Sequence, residues 1–236
     1  MKIELLYPEV CNLYGDLQNV TYLQRCCPDI QIVETDLKSR PRFLEEDIAL
    51  VYMGSTTEQG LRLVTDALRN VRDEIAAKVE AGQRILLTGN AMDTFSSYIQ
   101  SDMAPTVEGL SLLPGHVAYQ MLKRHNSFFL GTFEDMEIVG FKSLFGHFYD
   151  APEENGLFTA KRGIGRHPQT NIEGFRIRNL MATYLIGPLL ILNPPFTKWL
   201  LRQMGCPDTL AFEEAAMDSY RCRVAEFRQE NRSWQY

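Results

Sequence analysis

The sequence is short of everything that marks a nucleic-acid binder, a membrane protein or a disulfide scaffold. Among 236 residues, 24 Lys and Arg stand against 30 Asp and Glu, a formal net charge of −6. Contact with nucleic acid or an anionic lipid surface usually shows as a basic face, and no basic cluster supplies one, so neither partner is expected. Long apolar runs are missing too. The most lipid-like stretch, residues 185–196, is broken by Gly187, Pro188, Asn193, Pro194 and Pro195, whereas a membrane-spanning helix needs about 20 mainly apolar residues. Glu4 and Glu9 fall where a secretory leader would need its apolar region. The five cysteines (Cys11, Cys26, Cys27, Cys206 and Cys222) are odd in number and form no CxxC pair. That is the pattern of reduced thiols in a cytosolic protein. The four histidines (His116, His125, His147 and His167) lack metal-ligand spacing. No glycine-rich phosphate loop ending in Lys-Ser or Lys-Thr is present, and Gly163-Ile164-Gly165 is only half of a dinucleotide fingerprint with no helix after it. No cofactor is expected.

Apolar residues make up 45% of the chain and charged residues 23%, enough to bury a substantial core. Without repeats, low-complexity segments or a convincing linker, residues 1–236 are expected to form a single domain. The first hundred residues alternate. Strands are expected over 2–7, 30–35, 48–53 and 84–87, with helices over 16–26 and from about residue 91. Between the third and fourth strands, Leu61, Val64, Leu68, Val71, Ile75 and Val79 recur at three- and four-residue steps before Gly82, which predicts one amphipathic helix. Such alternation implies right-handed crossovers and a mainly parallel sheet covered by helices on both faces. Ligands then sit beyond the carboxyl ends of the strands, so the loops at 8–15, 54–59 and 88–92 are the ones to watch. The middle of the chain changes character. Short strands at 117–123, 128–132, 137–141 and 157–160 suggest a small antiparallel extension. A loop at 163–171, a strand at 178–186 and helices at 195–204 and 208–229 complete the pattern. The tail at 232–236 carries Trp234 and Tyr236, which either add partner surface or pack back on the domain.

One stretch has the layout of an active site. In RILLTGNAMDTF, residues 84–95, an apolar strand meets Thr88-Gly89-Asn90 and then helix-compatible residues, the arrangement that lifts a nucleophile above an α/β sheet. Its apex reads as Thr88, a weak nucleophile. Cys11 lies in another loop on the same sheet edge, where a bystander thiol and a nucleophile are both open readings. The pairs Glu45-Glu46, Glu153-Glu154 and Glu213-Glu214 read as solvated surface.

Several collinear stretches give this layout a context. YPEVCNLYGDLQN contains Asn12, Tyr14, Gly15 and Asp16 in an NLYGD motif, and VYMGSTTEQ holds Gly54, Ser55, Glu58 and Gln59 where a GGGQDREQ-like segment would stand. VEGLSLLPG matches a GLGLL turn, and GFKSLFG, with Gly140 and Phe141, is similar to GFENHGG. EGFRIRNLMATYLIGPLLILNP, with Tyr184, Gly187 and Pro188, follows a signature of the form EG…KN…GTYLHGPLLPKNP. On these residues, from Tyr7 to Pro194, the chain resembles the class I glutamine amidotransferases of the cobyric acid synthase type and, within them, the glutaminase subunits that act in lipid II amidation. The resemblance implies a three-layer, Rossmann-like (flavodoxin-like) α/β fold. It also implies a partner synthetase or ligase of the Mur-ligase type that uses the released ammonia.

In that family a cysteine thiolate attacks the glutamine amide, a histidine shuttles the proton, and backbone N–H groups stabilise the oxyanion. The resemblance puts the cysteine at Thr88 and the histidine at Ile186, with Gly54, Ser55, Gly89 and Asn90 around the oxyanion and substrate pocket. Both catalytic groups are missing, and Lys142 and Ser143 stand where the family has Glu and Asn. A catalytically degenerate binding or regulatory subunit is therefore expected, its pocket open to glutamine or another small molecule. The rival is an amidotransferase or hydrolase that has rebuilt its site with Cys11 or with a displaced His147 or His167. With no cysteine to hold in a strained turn, the backbone at Thr88 is expected to have relaxed, or its hydroxyl to be hydrogen-bonded.

Overall fold

The computed structural model describes residues 1–229. Trp234 and Tyr236, weighed above as partner surface, lie outside the described residues. The order is β1 (Lys2–Leu6), α1 (Gln18–Cys26), β2 (Gln31–Thr35), β3 (Leu50–Met53), α2 (Glu58–Arg69), α3 (Arg72–Glu80) and β4 (Ile85–Thr88). Next come β5 (Tyr98–Ser101), β6 (Val107–Glu108), β7 (His116–Tyr119), β8 (His125–Phe133), β9 (Met136–Leu144) and β10 (Gly146–Tyr149). The chain continues through β11 (Phe158–Arg162), β12 (Ile172–Glu173), β13 (Phe175–Ile177), β14 (Leu180–Thr183), α4 (Leu189–Leu192), α5 (Pro194–Gln203) and α6 (Glu213–Phe227).

A six-stranded sheet in the order β13-β14-β4-β3-β1-β2 forms the frame. All its pairings are parallel except β13 with β14 at one edge. The central strands are apolar on both faces, as a sheet covered by helices on both sides requires. Val51, Met53, Ile85 and Leu87 join a core with α2 and α3. Leu50, Tyr52 and Leu86 point the other way, into a core with α1, α4 and α5. From β1 the chain steps to β2 on one side, and the next strand, β3, pairs with the other side of β1. That reversal opens a crevice above the carboxyl ends of β1 and β3, where the loops after Leu6, Met53, Thr88 and Thr183 gather.

Three expectations are corrected. The helix read from Leu61 to Val79 is two helices. Asn70 ends α2, and Val71, at φ −116° and ψ 14°, starts α3. All six apolar residues still pack into one core, so the spacing carried no trace of the break. No α-helix begins near residue 91. Residues 89–95 form a 3-10 segment because its last carbonyls are taken from outside. Leu110 N–H donates to Thr94 O, and Leu112 and Leu113 N–H donate to Phe95 O, at 2.7–2.9 Å. The antiparallel extension is larger than expected. It comprises two four-stranded sheets, β10-β7-β5-β6 and β12-β11-β8-β9, and β5 pairs with β7 in parallel.

Candidate functional site

A cavity of about 150 Å³ opens above the carboxyl edge of the central sheet. Leu13 and Tyr14 line it from the loop after β1, Thr56, Thr57 and Glu58 from the loop after β3, Gly89 and Asn90 from that after β4, and Tyr184 from that after β14. Tyr119, Arg124, Ser143, Leu144 and Phe145 close it from the added sheets and the turns beside them.

The NLYGD segment is the cavity's inner brace. Asn12 Oδ1 accepts the Leu17 N–H at 3.2 Å, holding the turn into α1, and Gly15 takes φ +72°. Tyr14 Oη reaches the Ser143 carbonyl at 3.5 Å. Asp16 is fully buried, and its carboxylate accepts both the N–H of Ser55, at 2.8 Å, and the Ser55 hydroxyl. Burial raises the Asp16 carboxyl above its ordinary range, and the two Ser55 bonds pull it back down. Gly54 is forced by the same contact. A Cβ there would stand 2.7 Å from the Cys11 carbonyl and 2.8 Å from Asp16 Cβ. The Ser55 N–H, a candidate oxyanion donor from the sequence, is thus committed to Asp16.

Asn90, another candidate pocket residue, is also committed. Its side chain accepts the Thr56 N–H and donates to the Thr56 carbonyl, each at 2.9 Å, which staples the β3 loop to the β4 loop. Glu58 opens α2, whose first turn is capped by Thr57 Oγ1 accepting the Gly60 N–H at 3.0 Å. Gln59 is exposed and does not line the cavity.

Thr88 satisfies both halves of its expectation. Its backbone is relaxed and extended, at φ −119° and ψ 149°. Its hydroxyl lies 2.7 Å from the Tyr52 phenol. Tyr52 donates its single proton to the Asp16 carbonyl at 3.0 Å and accepts from Asn19 at 2.9 Å, so the network closes with Thr88 donating to Tyr52. Thr88 is wholly buried and does not line the cavity. The left-handed turn expected of an elbow apex falls instead on Gly89, at φ +61°.

Ile186 is buried, and its N–H donates to the Phe141 carbonyl at 3.0 Å. Gly140 backs this contact against Leu185. Gly187, at φ +96°, then turns the chain so that Pro188 can start α4. The residues proposed for a rebuilt site are not brought to the cavity. Cys11 is fully buried, and burial with the nearby Glu9 pushes its thiol up to about 12, so it is neutral at pH 7. His147 and His167 are absent from the lining. Burial, with His125 and Lys142 close by, lowers the His147 imidazole to about 4.

Two polar groups beside the cavity were not legible in the sequence. Asp93 is buried behind the cavity wall, where Tyr119 and Tyr184 donate to its two oxygens at 2.5 and 2.8 Å. Burial pushes its carboxyl up to about 7 against those two bonds. Its three members lie 26 and 91 residues apart, on segments with no shared pattern. Lys142 and Glu173 form a fully buried ion pair. Lys142 also donates to the Ile164 and Gly165 carbonyls at 2.9 and 2.7 Å. Glu173 accepts the Thr183 hydroxyl and the Tyr184 N–H at 2.9 and 2.8 Å, fixing the loop that leads to Ile186. Arg124 lies with its guanidinium 4.4 Å from the centre of the Phe145 ring. It is the cationic side chain at the cavity wall, opposite in charge to Glu58. No group of three or more His, Cys, Asp or Glu among the described residues is placed to hold a metal ion. No helix among them is long and apolar enough to cross a membrane.

Residues 2–193 match the family model of the CobB/CobQ-like glutamine amidotransferase domain. The chain is similar to the GatD subunit of lipid II isoglutaminyl synthase (glutamine-hydrolyzing) from Staphylococcus aureus strain N315. The two are 26% identical over 213 residues, 88% of this chain and 86% of that subunit. The GatD subunit from Streptococcus pneumoniae strain ATCC BAA-255 / R6 is 24% identical over 203 residues, 82% of this chain and 76% of that subunit. Among solved structures, a glutamine amidotransferase superposes with a TM-score of 0.57 at 15% identity, covering 86% of this chain and 98% of its own. PurLQS from Thermotoga maritima gives a TM-score of 0.55 at 11% identity, covering 94% and 98%. These structural likenesses speak to the fold. The family match, spanning most of the chain, decides membership: the protein belongs to the CobB/CobQ-like glutamine amidotransferases.

Proposed function

We propose that this chain is a glutaminase-like subunit that has kept the family's pocket and lost its chemistry. The observation that supports this most is the state of the two positions that the resemblance singled out. The Thr88 hydroxyl is spent inside the core on Tyr52, and the base position is occupied by the apolar Ile186, whose only polar service is a backbone bond to Phe141. A threonine hydroxyl needs a positioned base to become a nucleophile, and isoleucine cannot act as one. Loss of either member of such a unit costs about 10⁴- to 10⁶-fold in rate.

A subunit of this kind would still bind a small polar molecule, glutamine or another, between Arg124 and Glu58. It would also dock on a synthetase of the Mur-ligase type, which activates a carboxylate with ATP and accepts ammonia. The similarity to subunits of lipid II isoglutaminyl synthase favours amidation of a cell-wall precursor over cobyrinate amidation. The test is reconstitution with an ATP-dependent synthetase of the Mur-ligase type. Ammonium chloride should support product formation, and the chain should raise the ligase's yield or stability. Glutamine should not replace ammonium. Amide product formed from glutamine at a rate comparable to that from ammonium would end the proposal.

A further inference from the structure

We propose that Gly89, not Thr88, is where the family's nucleophile stands, and that Ser55 fills the space its side chain would need. This rests on the reading of the site as silent, and it specifies where the chemistry was lost. An elbow carries its nucleophile at the single sharp turn between strand and helix, in a conformation most side chains avoid. In this chain the turn is Gly89, at φ +61°, while Thr88 remains in the extended strand. Position agrees, because Gly89, though buried, lines the cavity, and Thr88 does not.

Direction agrees as well. A nucleophile and its base must lie within hydrogen-bond reach of each other. A Cβ on Gly89 would point at Ile186, 3.2 Å from its Cγ2. The same Cβ would meet Ser55 Cβ at 2.5 Å and Ser55 Oγ at 3.0 Å, closer than real side chains pack. Ser55 cannot swing aside cheaply, since its N–H and hydroxyl are both held by the buried Asp16 carboxylate. The vacancy is therefore a filled one, and a thiol at Gly89 alone cannot be accommodated. Reopening the site takes three changes: Gly89→Cys for the thiol, Ser55→Gly for its space and Ile186→His for the base. In the restored reaction the sulfur bonds to the amide carbon, the C–N bond breaks and the imidazole returns its proton to the departing ammonia. Water then cleaves the thioester to glutamate.

Two comparisons on the full-length chain test this. First, the Thr88→Cys variant and the Gly89→Cys/Ser55→Gly variant, which both keep Ile186 in the core, are alkylated with iodoacetamide under native conditions and mapped by peptide mass spectrometry. The thiol introduced at Gly89 should react on the order of ten-fold faster than the one at Thr88, because accessible thiols react and buried ones do not. Equal rates, or a faster reaction at Thr88, would overturn the assignment. Second, Gly89→Cys/Ser55→Gly/Ile186→His should release ammonia from glutamine above the wild-type level, whereas Thr88→Cys/Ser55→Gly/Ile186→His should not; the opposite order refutes it. Wild-type turnover would defeat the silent-subunit reading, and the alkylation contrast would still decide for or against Gly89.

Discussion

Gly54 and Lys142 show how far single residues are constrained around the cavity. Gly54 lies against the Cys11 carbonyl and Asp16 Cβ. Gly54→Ala must push apart two elements that bury their shared contact, and overpacking of this kind costs about 1–3 kcal/mol. A lowered urea midpoint with unchanged slope is the expected reading. Lys142→Met leaves the Glu173 carboxylate buried without its cation, which costs about 3–5 kcal/mol. The double variant Lys142→Met/Glu173→Gln should recover much of that loss, because the second change removes the stranded charge. These constraints were only partly legible. The residues of the NLYGD and TYLIGP segments stood out in the sequence, but the reason Ser55 is needed where it is depends on the reach of Asp16 across 39 residues. The exchange of roles between Thr88 and Gly89 was hidden for a simpler reason. Two adjacent residues differ by one step in φ, and neither composition nor spacing records which of them turns.

At the scale of elements, the alternation of strands with helices and the 3.6-residue spacing carried the parallel sheet and the helices that cover it. They missed features made by contacts from elsewhere in the chain. The two-residue break at Asn70–Val71 left the apolar stripe intact. The 3-10 segment at 89–95 is short because Leu110, Leu112 and Leu113 bond to its last carbonyls. That segment carries Asp93, and its burial makes a prediction about pH. The Asp93 carboxyl titrates near 7 in the folded chain and near 3.9 when unfolded. Between those values the folded state binds more protons, so stability from this group is full below about pH 4 and is lost as pH rises through 7. His147 on β10 works in the opposite sense. Its folded value of about 4 lies below its unfolded value near 6.5, so its contribution is present above pH 6.5 and is lost as pH falls toward 4. The two slopes oppose each other between pH 4 and 6.5. Relative to the wild-type chain, Asp93→Asn should therefore tilt stability upward with pH across that window, and His147→Gln should tilt it downward. Denaturant titrations at pH 4.5, 5.5 and 6.5 would separate them.

At the scale of the whole molecule, the sheet reversal between β1 and β3 places the crevice, and the family match assigns it to glutamine amidotransferases. What the crevice does depends on whether any group in it can attack a carboxamide. The groups that the sequence singled out do not supply one: the Thr88 hydroxyl is bonded to Tyr52, the Cys11 thiol is buried and pushed up to about 12, and Ile186 carries no base. The pocket itself survives, with Arg124 and Glu58 on its wall. Under the proposed function, binding without turnover is what distinguishes this chain from the glutamine-hydrolysing subunits it is similar to. The most direct test incubates glutamine with excess purified chain, alone and with a Mur-ligase-type synthetase, and follows ammonia and glutamate over hours. No release above the rate without protein is expected, and the same result for Thr88→Ala and Cys11→Ala. Wild-type release that either substitution abolishes would contradict that expectation.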